Sequence, residues 1–315
     1  MSDRATTQRK PIYTLDLDFQ KTPGTIASYL IPYANGAVLV ESGPGSTIPA
    51  LQAALHKHGF EVQDVSDVLL THIHLDHAGA AGWLARQGAR IHVHPVGAPH
   101  LLDPKKLLSS AERIYGDTMD TLWGEFLSVP ENRLSVIQDG DVLEIDGLRF
   151  KAIDTPGHAY HHHAYLFEDV LFTGDIGGVR LQGPPHLRLP MPPPEFHLEK
   201  WRESLQRLRQ EEFKRIAPTH FGIFNDPEWH LAALERALKE VEDWMQTELP
   251  ADPPFEKLNE DFLSWTRKRT EREGVSEDLI RDYEVANPSW MSTYGIQRYW
   301  KKYRAEGVQE PSHGS

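Results

Sequence analysis

A chain of 315 residues, 39% of them hydrophobic and 25% charged, can bury a substantial core, which excludes a disordered protein and a single small domain. No apolar run approaches the roughly 20 residues of a membrane span, and the opening MSDRATTQRK lacks a secretory signal's apolar segment, so a cytoplasmic protein without a membrane partner is expected. The absence of cysteine excludes disulfides, thiolate catalysis and cysteine-ligated metals, and a formal net charge of −13 without a basic patch argues against nucleic acid as a partner.

PIYTLDLDF, TIASYLIPY and AVLVES read as β-strands. The turn from Gly43 to Ser46 offers Ser46 as N-cap of a helix through PALQAALHKH that stops at Gly59. VSDVLL is a short buried strand ending at Thr71, residues 78–88 a helix, ARIHVHP a strand, and residues 96–127 mostly helical with breaks. VLEI, LRFKAID, HAYLFE and VLFTG follow as four short strands separated by Gly, Asp or a short turn. The proline-rich LQGPPHLRLPMPPPEF forms a long loop of the kind that borders a site. A helix around 198–210 and the strand RIAPTH come next. Asp226 and Pro227 then open a long helix in which Leu231, Leu234, Leu238, Val241 and Trp244 make one apolar stripe. PADPPF, residues 250–255, is the best boundary, dividing a main domain of residues 1–250 from a charged, aromatic, helical C-terminal extension of residues 251–315.

The stretch LLTHIHLDHAGAAG concentrates coordinating side chains between an apolar run and small residues. In an extended segment alternate side chains share a face, so His72 and His74 can grip one ion. Asp76 and His77 fall where the loop becomes a helix and can grip a second. Imidazole and carboxylate suit zinc, with manganese or iron as alternatives. Two ions need more ligands than these four residues. DTPGHAY supplies His158 after one strand, VLFTGD supplies Asp175 after another, where a carboxylate can bridge both ions, and APTHFG supplies His220 after a third.

THIHLDHAG, TPGH, FTGD and PTHFG occur in the order and at about the spacings of the metallo-β-lactamase superfamily, and residues 12–248 resemble its glyoxalase II and lactonase-like hydrolases. The resemblance implies an α/β fold of the αββα sandwich type, two mixed sheets face to face with helices outside. It implies one metal on His72, His74 and His158, another on Asp76, His77 and His220, and Asp175 between them. Without cysteine the chain departs from the lactamases that use a cysteine ligand. His74 stands where the flavodiiron reductases carry a glutamate. The text TPGHAYHHHAY places His162 and Tyr165 at the second histidine and aromatic of a doubled motif, and alternation along the following strand would send His161 and His163 to one face. Glu41 in ESGPG replaces an aspartate-containing turn and is the candidate acid behind a ligand histidine. No match to the residues with which glyoxalase II holds glutathione is visible.

Two divalent ions over Asp76 and Asp175 favour a hydroxide held between them. The expected protein is therefore a dinuclear hydrolase that cleaves a small-molecule ester, lactone or thioester, with Asp76 and Asp175 as catalytic residues and Asp76 or water protonating the leaving group. The alternatives are an oxidoreductase like the mononuclear iron persulfide dioxygenases, for which His72, His158 and Asp175 suffice, a phosphodiesterase or nuclease of the same superfamily, and an inactive binding module. Arg180 is a candidate for an anionic substrate group, against an ordinary surface role. His92 and His94, followed by Pro95, are structural or exposed, and the His161–His163 run is a supporting network. His56, His58, His100, His186, His197, His230 and His313 are surface or packing residues. The aromatic segment 282–300 is a candidate to cap the pocket or to join the subunits of a homodimer, against plain packing of a helical tail.

Overall fold

The structure is a computed structural model that describes residues 9–305, so His313 lies outside the described residues. A six-stranded sheet runs β1 (Tyr13–Asp16), β2 (Ala27–Tyr33), β3 (Gly36–Val40), β4 (Val65–Leu69), β5 (Arg90–Val93) and β6 (Leu134–Val136), in that spatial order. The second sheet has β7 (Val142–Ile145), β8 (Leu148–Asp154), β9 (His163–Phe167), β10 (Val170–Phe172) and β11 (Arg215–Ala217) side by side. β3 to β6 pair in parallel and β10 pairs in parallel with β11, while the remaining pairs are antiparallel.

Side-chain alternation turns these sheets into layers. Tyr29, Ile31, Val38 and Val40 of the first sheet meet Phe150, Ala152, Tyr165 and Phe167 of the second in one buried cluster. Their neighbours Leu30, Leu39, Ile153 and Ala164 point outward into two other clusters. The first of these is closed by α1 (Ile48–Lys57), the short α2 (Leu75–Ala78), α3 (Ala81–Gln87), α4 (Ala98–Leu102), α5 (Lys105–Tyr115) and α6 (Met119–Trp123). α7 (Leu198–Leu208) and α8 (Pro227–Glu248) cover the second sheet through Trp201, Leu205, Leu234 and Leu238. The result is the αββα sandwich.

Two capping expectations fail. α1 starts after Thr47, and the Ser46 hydroxyl instead donates to the Leu122 carbonyl at 2.6 Å, tying α1's entrance to α6. Asp226 does precede α8, but its carboxylate makes no cap because both oxygens hold Arg180. The strand RIAPTH stops at Ala217, which leaves His220 in irregular chain beyond the sheet.

Beyond PADPPF come α9 (Phe255–Arg272), α10 (Glu277–Ala286) and α11 (Ser289–Tyr303). Leu258, Phe262, Ile296 and Tyr299 enter the same core as Leu234 and Leu238. The proline-rich loop is clamped beneath them: Asn287 donates to the Leu189 carbonyl at 3.2 Å and Tyr283 to that of His186 at 3.0 Å. α11 lies so close that a Cβ on Gly295 would sit 1.9 Å from the Met191 carbonyl oxygen. None of the described helices is long and apolar enough to cross a membrane.

Candidate metal centre

The functional side chains come from loops at one edge of the sandwich. Backbone bonds from Ala27 to the Thr219 carbonyl (2.8 Å) and from His163 to the Thr71 carbonyl (2.7 Å) stitch the two sheets together there. β4 ends at Leu69 and the chain runs on in irregular structure through His72 to His74, whose backbone is extended, while Asp76 and His77 lie in the first turn of α2. After β8, Gly157 takes φ 144°, and any Cβ there would lie 2.4 Å from the Trp201 Cα, so only glycine lets the loop turn His158 inward against α7. Asp175 sits in the short turn after β10 and His220 in the chain after β11.

These loops bring all seven motif residues together. His72 Nε2 and His158 Nε2 lie 2.9 and 2.8 Å from His74 Nδ1. Asp76 Oδ2 is 3.5 Å from His77 Nε2 and 3.4 Å from His220 Nε2. Asp175 reaches both groups, with Oδ1 3.3 Å from His77 and 3.4 Å from His220, and Oδ2 3.3 Å from His158.

Which nitrogens carry protons follows from the other side of each ring. His158 Nδ1 donates to the Pro190 carbonyl at 2.8 Å, His220 Nδ1 to the Thr25 carbonyl at 2.7 Å, and His77 Nδ1 to Glu41 Oε1 at 3.1 Å. The Thr71 hydroxyl donates to Glu41, so its oxygen accepts from His72 Nδ1 at 3.0 Å. In the neutral rings, four Nε2 lone pairs therefore face inward, as in metal sites whose histidines are oriented by acceptors behind them. His72 is neutral, held well below the ordinary histidine value by burial and by its neighbouring imidazoles. His158 is pushed down to about 4, chiefly by burial, with Asp175 opposing. Burial opposes ionisation of Asp175, but His77, His158 and His220 outweigh it and hold the carboxyl well below its ordinary value. His77 Nε2 and Asp175 Oδ1 are buried without a hydrogen-bond partner. Burial opposes protonation of His77 and His220, but Asp76 and Asp175 outweigh it and hold His77 well above, and His220 above, the ordinary histidine value. A divalent cation on each side of Asp175 would take the place of those protons and satisfy the orphaned buried atoms.

Glu41 is fully buried behind this cluster, in a left-handed conformation at φ 70°. Besides His77 and Thr71 its carboxylate accepts from the Thr219 hydroxyl at 3.1 Å, which joins the loops after β3, β4 and β11. The other candidates lie elsewhere. His162 is buried with Nδ1 on Thr155 Oγ1 at 2.8 Å and its ring centroid 5.0 Å from that of His72, supporting rather than facing the cavity. Tyr165 is in the core between the sheets, donating to the Leu70 carbonyl at 3.0 Å, and is out of reach of a substrate.

Arg180 is neither a surface residue nor an anion site. It is buried, forks onto Asp226 at 2.7 and 2.8 Å, and stacks over Phe224 and Trp229, 3.9 and 4.4 Å from their ring centroids. Its Nη1 also meets His230 Nδ1 at 3.3 Å, so the buried His230 is a neutral ring donating from Nε2 to the Gly177 carbonyl at 2.7 Å. Burial, with Arg180 adding to it, pushes His230 down from 6.5 to about 4. Because the unfolded chain binds this proton first, the stabilisation is complete above pH 6.5 and is lost as pH falls toward 4. His230→Gln keeps a donor and an acceptor without the titration. Its unfolding free energy should fall less than that of the native chain over this window, by about 3 kcal/mol, in denaturant titrations.

His161 and His163 do not share a face. β9 begins only at His163, so alternation does not reach His161, which faces the cavity with Nε2 3.5 Å from Glu195. His163 turns away and packs its ring 4.5 Å from that of His94. His94, His163 and Asp154 also cluster, but His94 Nδ1 accepts from the Val96 amide at 3.0 Å. Its Nε2 therefore carries the proton and approaches Asp154 Oδ1 to 3.2 Å without a hydrogen bond, whereas His92 is structural, on Asp67 at 2.7 Å. Sequence reasoning missed His161, and also His100, which lines the cavity rather than the plain surface.

The centre opens into a cavity of about 630 Å³ whose wall includes His74, Asp76, His158, Asp175 and His220. Pro190, Pro192 and Glu195 of the proline-rich loop border it, and Trp290 and Met291 of α11 close one side. Of the aromatic segment 282–300, Trp290 thus reaches the cavity, while Tyr283 and Tyr299 are buried in packing.

Known proteins resemble this chain in sequence and fold. The chain is 31% identical over 160 residues to the metallo-beta-lactamase fold-containing protein ST1585 of Sulfurisphaera tokodaii, covering 50% of this chain and 60% of the relative. It is 33% identical over 139 residues to a hydroxyacylglutathione hydrolase of Xylella fastidiosa, covering 44% and 40%. The chain thus spans 60% or less of the length of either curated relative. The crystal structure of the metallo-beta-lactamase family protein TTHA1429 from Thermus thermophilus superposes with a TM-score of 0.59 at 23% identity, over 92% of this chain and 93% of that one. The sequence profile of the Metallo-beta-lactamase superfamily matches residues 22–220. By that match, laid over the sandwich and its histidine- and aspartate-lined edge, the chain belongs to the metallo-β-lactamase superfamily.

Proposed function

We propose that the protein is a dinuclear metal-dependent hydrolase that cleaves a small ester, lactone or thioester. The observation that carries this reading is the sharing of Asp175 between two complete donor groups, His72, His74 and His158 on one side and Asp76, His77 and His220 on the other. Two divalent cations, zinc being the best match to these donors, supply Lewis acidity toward a carbonyl oxygen and ionise water near neutral pH.

The residues do the rest. Glu41, Thr71 and the carbonyls of Thr25 and Pro190 fix the ring orientations, so the donor geometry is set before substrate arrives. Asp76 and Asp175 keep the centre's charge balanced and accept hydrogen bonds from water brought to the cavity floor. Asp76 is held down to about 2, burial opposing and His77 and His220 prevailing, so it acts as a carboxylate and not as the acid. The leaving group then takes its proton from water. The cavity suits a small-molecule substrate. The likeness to a hydroxyacylglutathione hydrolase favours a thioester among the three bond types.

Metal analysis of purified protein joined to a screen of lactones, thioesters and phosphodiesters tests the reading. About two zinc equivalents per chain with turnover of a lactone or thioester are expected. A single iron with oxygen uptake on glutathione persulfide would replace the reading with an oxidoreductase, and turnover of phosphodiesters alone would replace it with a phosphodiesterase.

A further inference from the structure

Resting on the hydrolase reading, we infer that the substrate carries a long or bulky apolar acyl group, which is held in a channel built by α5, α6 and the C-terminal helices. Leu107, Ile114 and Leu122 from α5 and α6 line the cavity together with Val285 of α10 and Trp290 and Met291 of α11. The two walls are more than 160 residues apart in sequence, counting from Leu122 to Val285 (285 − 122 = 163). A polar clamp on the channel's own wall positions the second of them. Glu284 takes Arg188 on one side and the Ser289 amide and hydroxyl, at 2.9 and 2.8 Å, on the other, holding the α10–α11 turn against the proline-rich loop.

Charge points the same way. Among the described residues Lys106 is the one lysine on the wall and no arginine lines it, while Glu195 and Glu284 are acidic. A leaving group with several phosphates or carboxylates finds no fork of guanidinium donors here, whereas an uncharged acyl chain meets apolar surface along much of its length. The scissile carbonyl would stop at the floor, beside His74, Asp76 and Asp175. Hydrolysis adds water across the acyl bond, releasing the carboxylic acid and the alcohol or thiol, so a reaction that builds or transfers apolar acyl groups must supply the substrate.

The test compares S-acetyl- and S-decanoyl-N-acetylcysteamine with the zinc-loaded protein, and 1-decanol binding to the metal-free protein followed by tryptophan emission, to which Trp290 contributes. The decanoyl thioester should be favoured by at least about 100-fold in kcat/KM, well under the roughly 10⁴-fold or more that full burial of eight added methylenes would give. Ala111→Phe, which narrows the channel from α5, should cut that ratio at least tenfold and weaken decanol binding. Leu107→Phe serves as a second variant should the first fail to fold. Hydrolysis of both thioesters without preference for the longer one, or decanol binding that neither variant weakens, overturns the inference and leaves the hydrolase reading standing. Decanol binding lost in the variants, with no thioester cleaved by the native protein, sinks the hydrolase reading and upholds the channel.

Discussion

Asp175→Ala is expected to lower kcat/KM by more than about a thousandfold, equivalent to about 4 kcal/mol of transition-state stabilisation. The carboxylate lies within 3.4 Å of histidines on both sides of the centre, so its loss opens both donor groups at once and leaves Asp76 as the remaining carboxylate beside their nitrogens. His74→Ala should abolish turnover as completely but for a narrower reason. It removes a donor from the His72–His158 side only, so one cation should remain with Asp76, His77 and His220. Metal content after gel filtration, measured beside the kinetics, separates the two. Asp175→Ala should retain less than one equivalent and His74→Ala about one. Equal stoichiometry in both variants, or activity surviving in either, contradicts the shared-carboxylate geometry.

Glu41→Ala should be the most damaging change outside the seven donors. Its carboxylate is buried and accepts from His77, Thr219 and both the amide and the hydroxyl of Thr71, so truncation strands four donors in a dry interior. Removing one member of such a buried network typically costs about 3–5 kcal/mol, and losing an acid that orients a ligand histidine typically costs about 10–100-fold in metal affinity. Glu41→Gln preserves the shape and part of the hydrogen bonding and should lie between the native protein and the alanine variant on both scales. Denaturant titration of the metal-free protein and competitive chelation of the zinc-loaded one read the two effects separately. A loss below 1 kcal/mol together with unchanged zinc affinity would show that the hub has no energetic role.

The strands and long helices are legible in the sequence because each carries its own period. VLEI, LRFKAID and HAYLF alternate against a single inter-sheet core, and α8 repeats its leucines at helical spacing. The motif histidines are legible for a different reason, since His72, His158 and His220 each lie within four residues of a strand end that the sheet fixes. Arg180 is misread because its partner Asp226 lies 46 positions away, and nothing local shows that its charge is neutralised. His161 is misread because the first residue of β9 decides its direction, and strand ends carry no periodicity. The channel is the least legible part. Its walls come from α5, α6 and the α10–α11 turn, which become neighbours only when the C-terminal helices pack on the proline-rich loop.

Anomalous diffraction at the zinc edge from crystals of the zinc-loaded protein tests the central claim most directly. The account predicts two peaks, one within reach of His72, His74 and His158 and one within reach of Asp76, His77 and His220, with Asp175 between them. A single peak, or peaks away from these side chains, would contradict it.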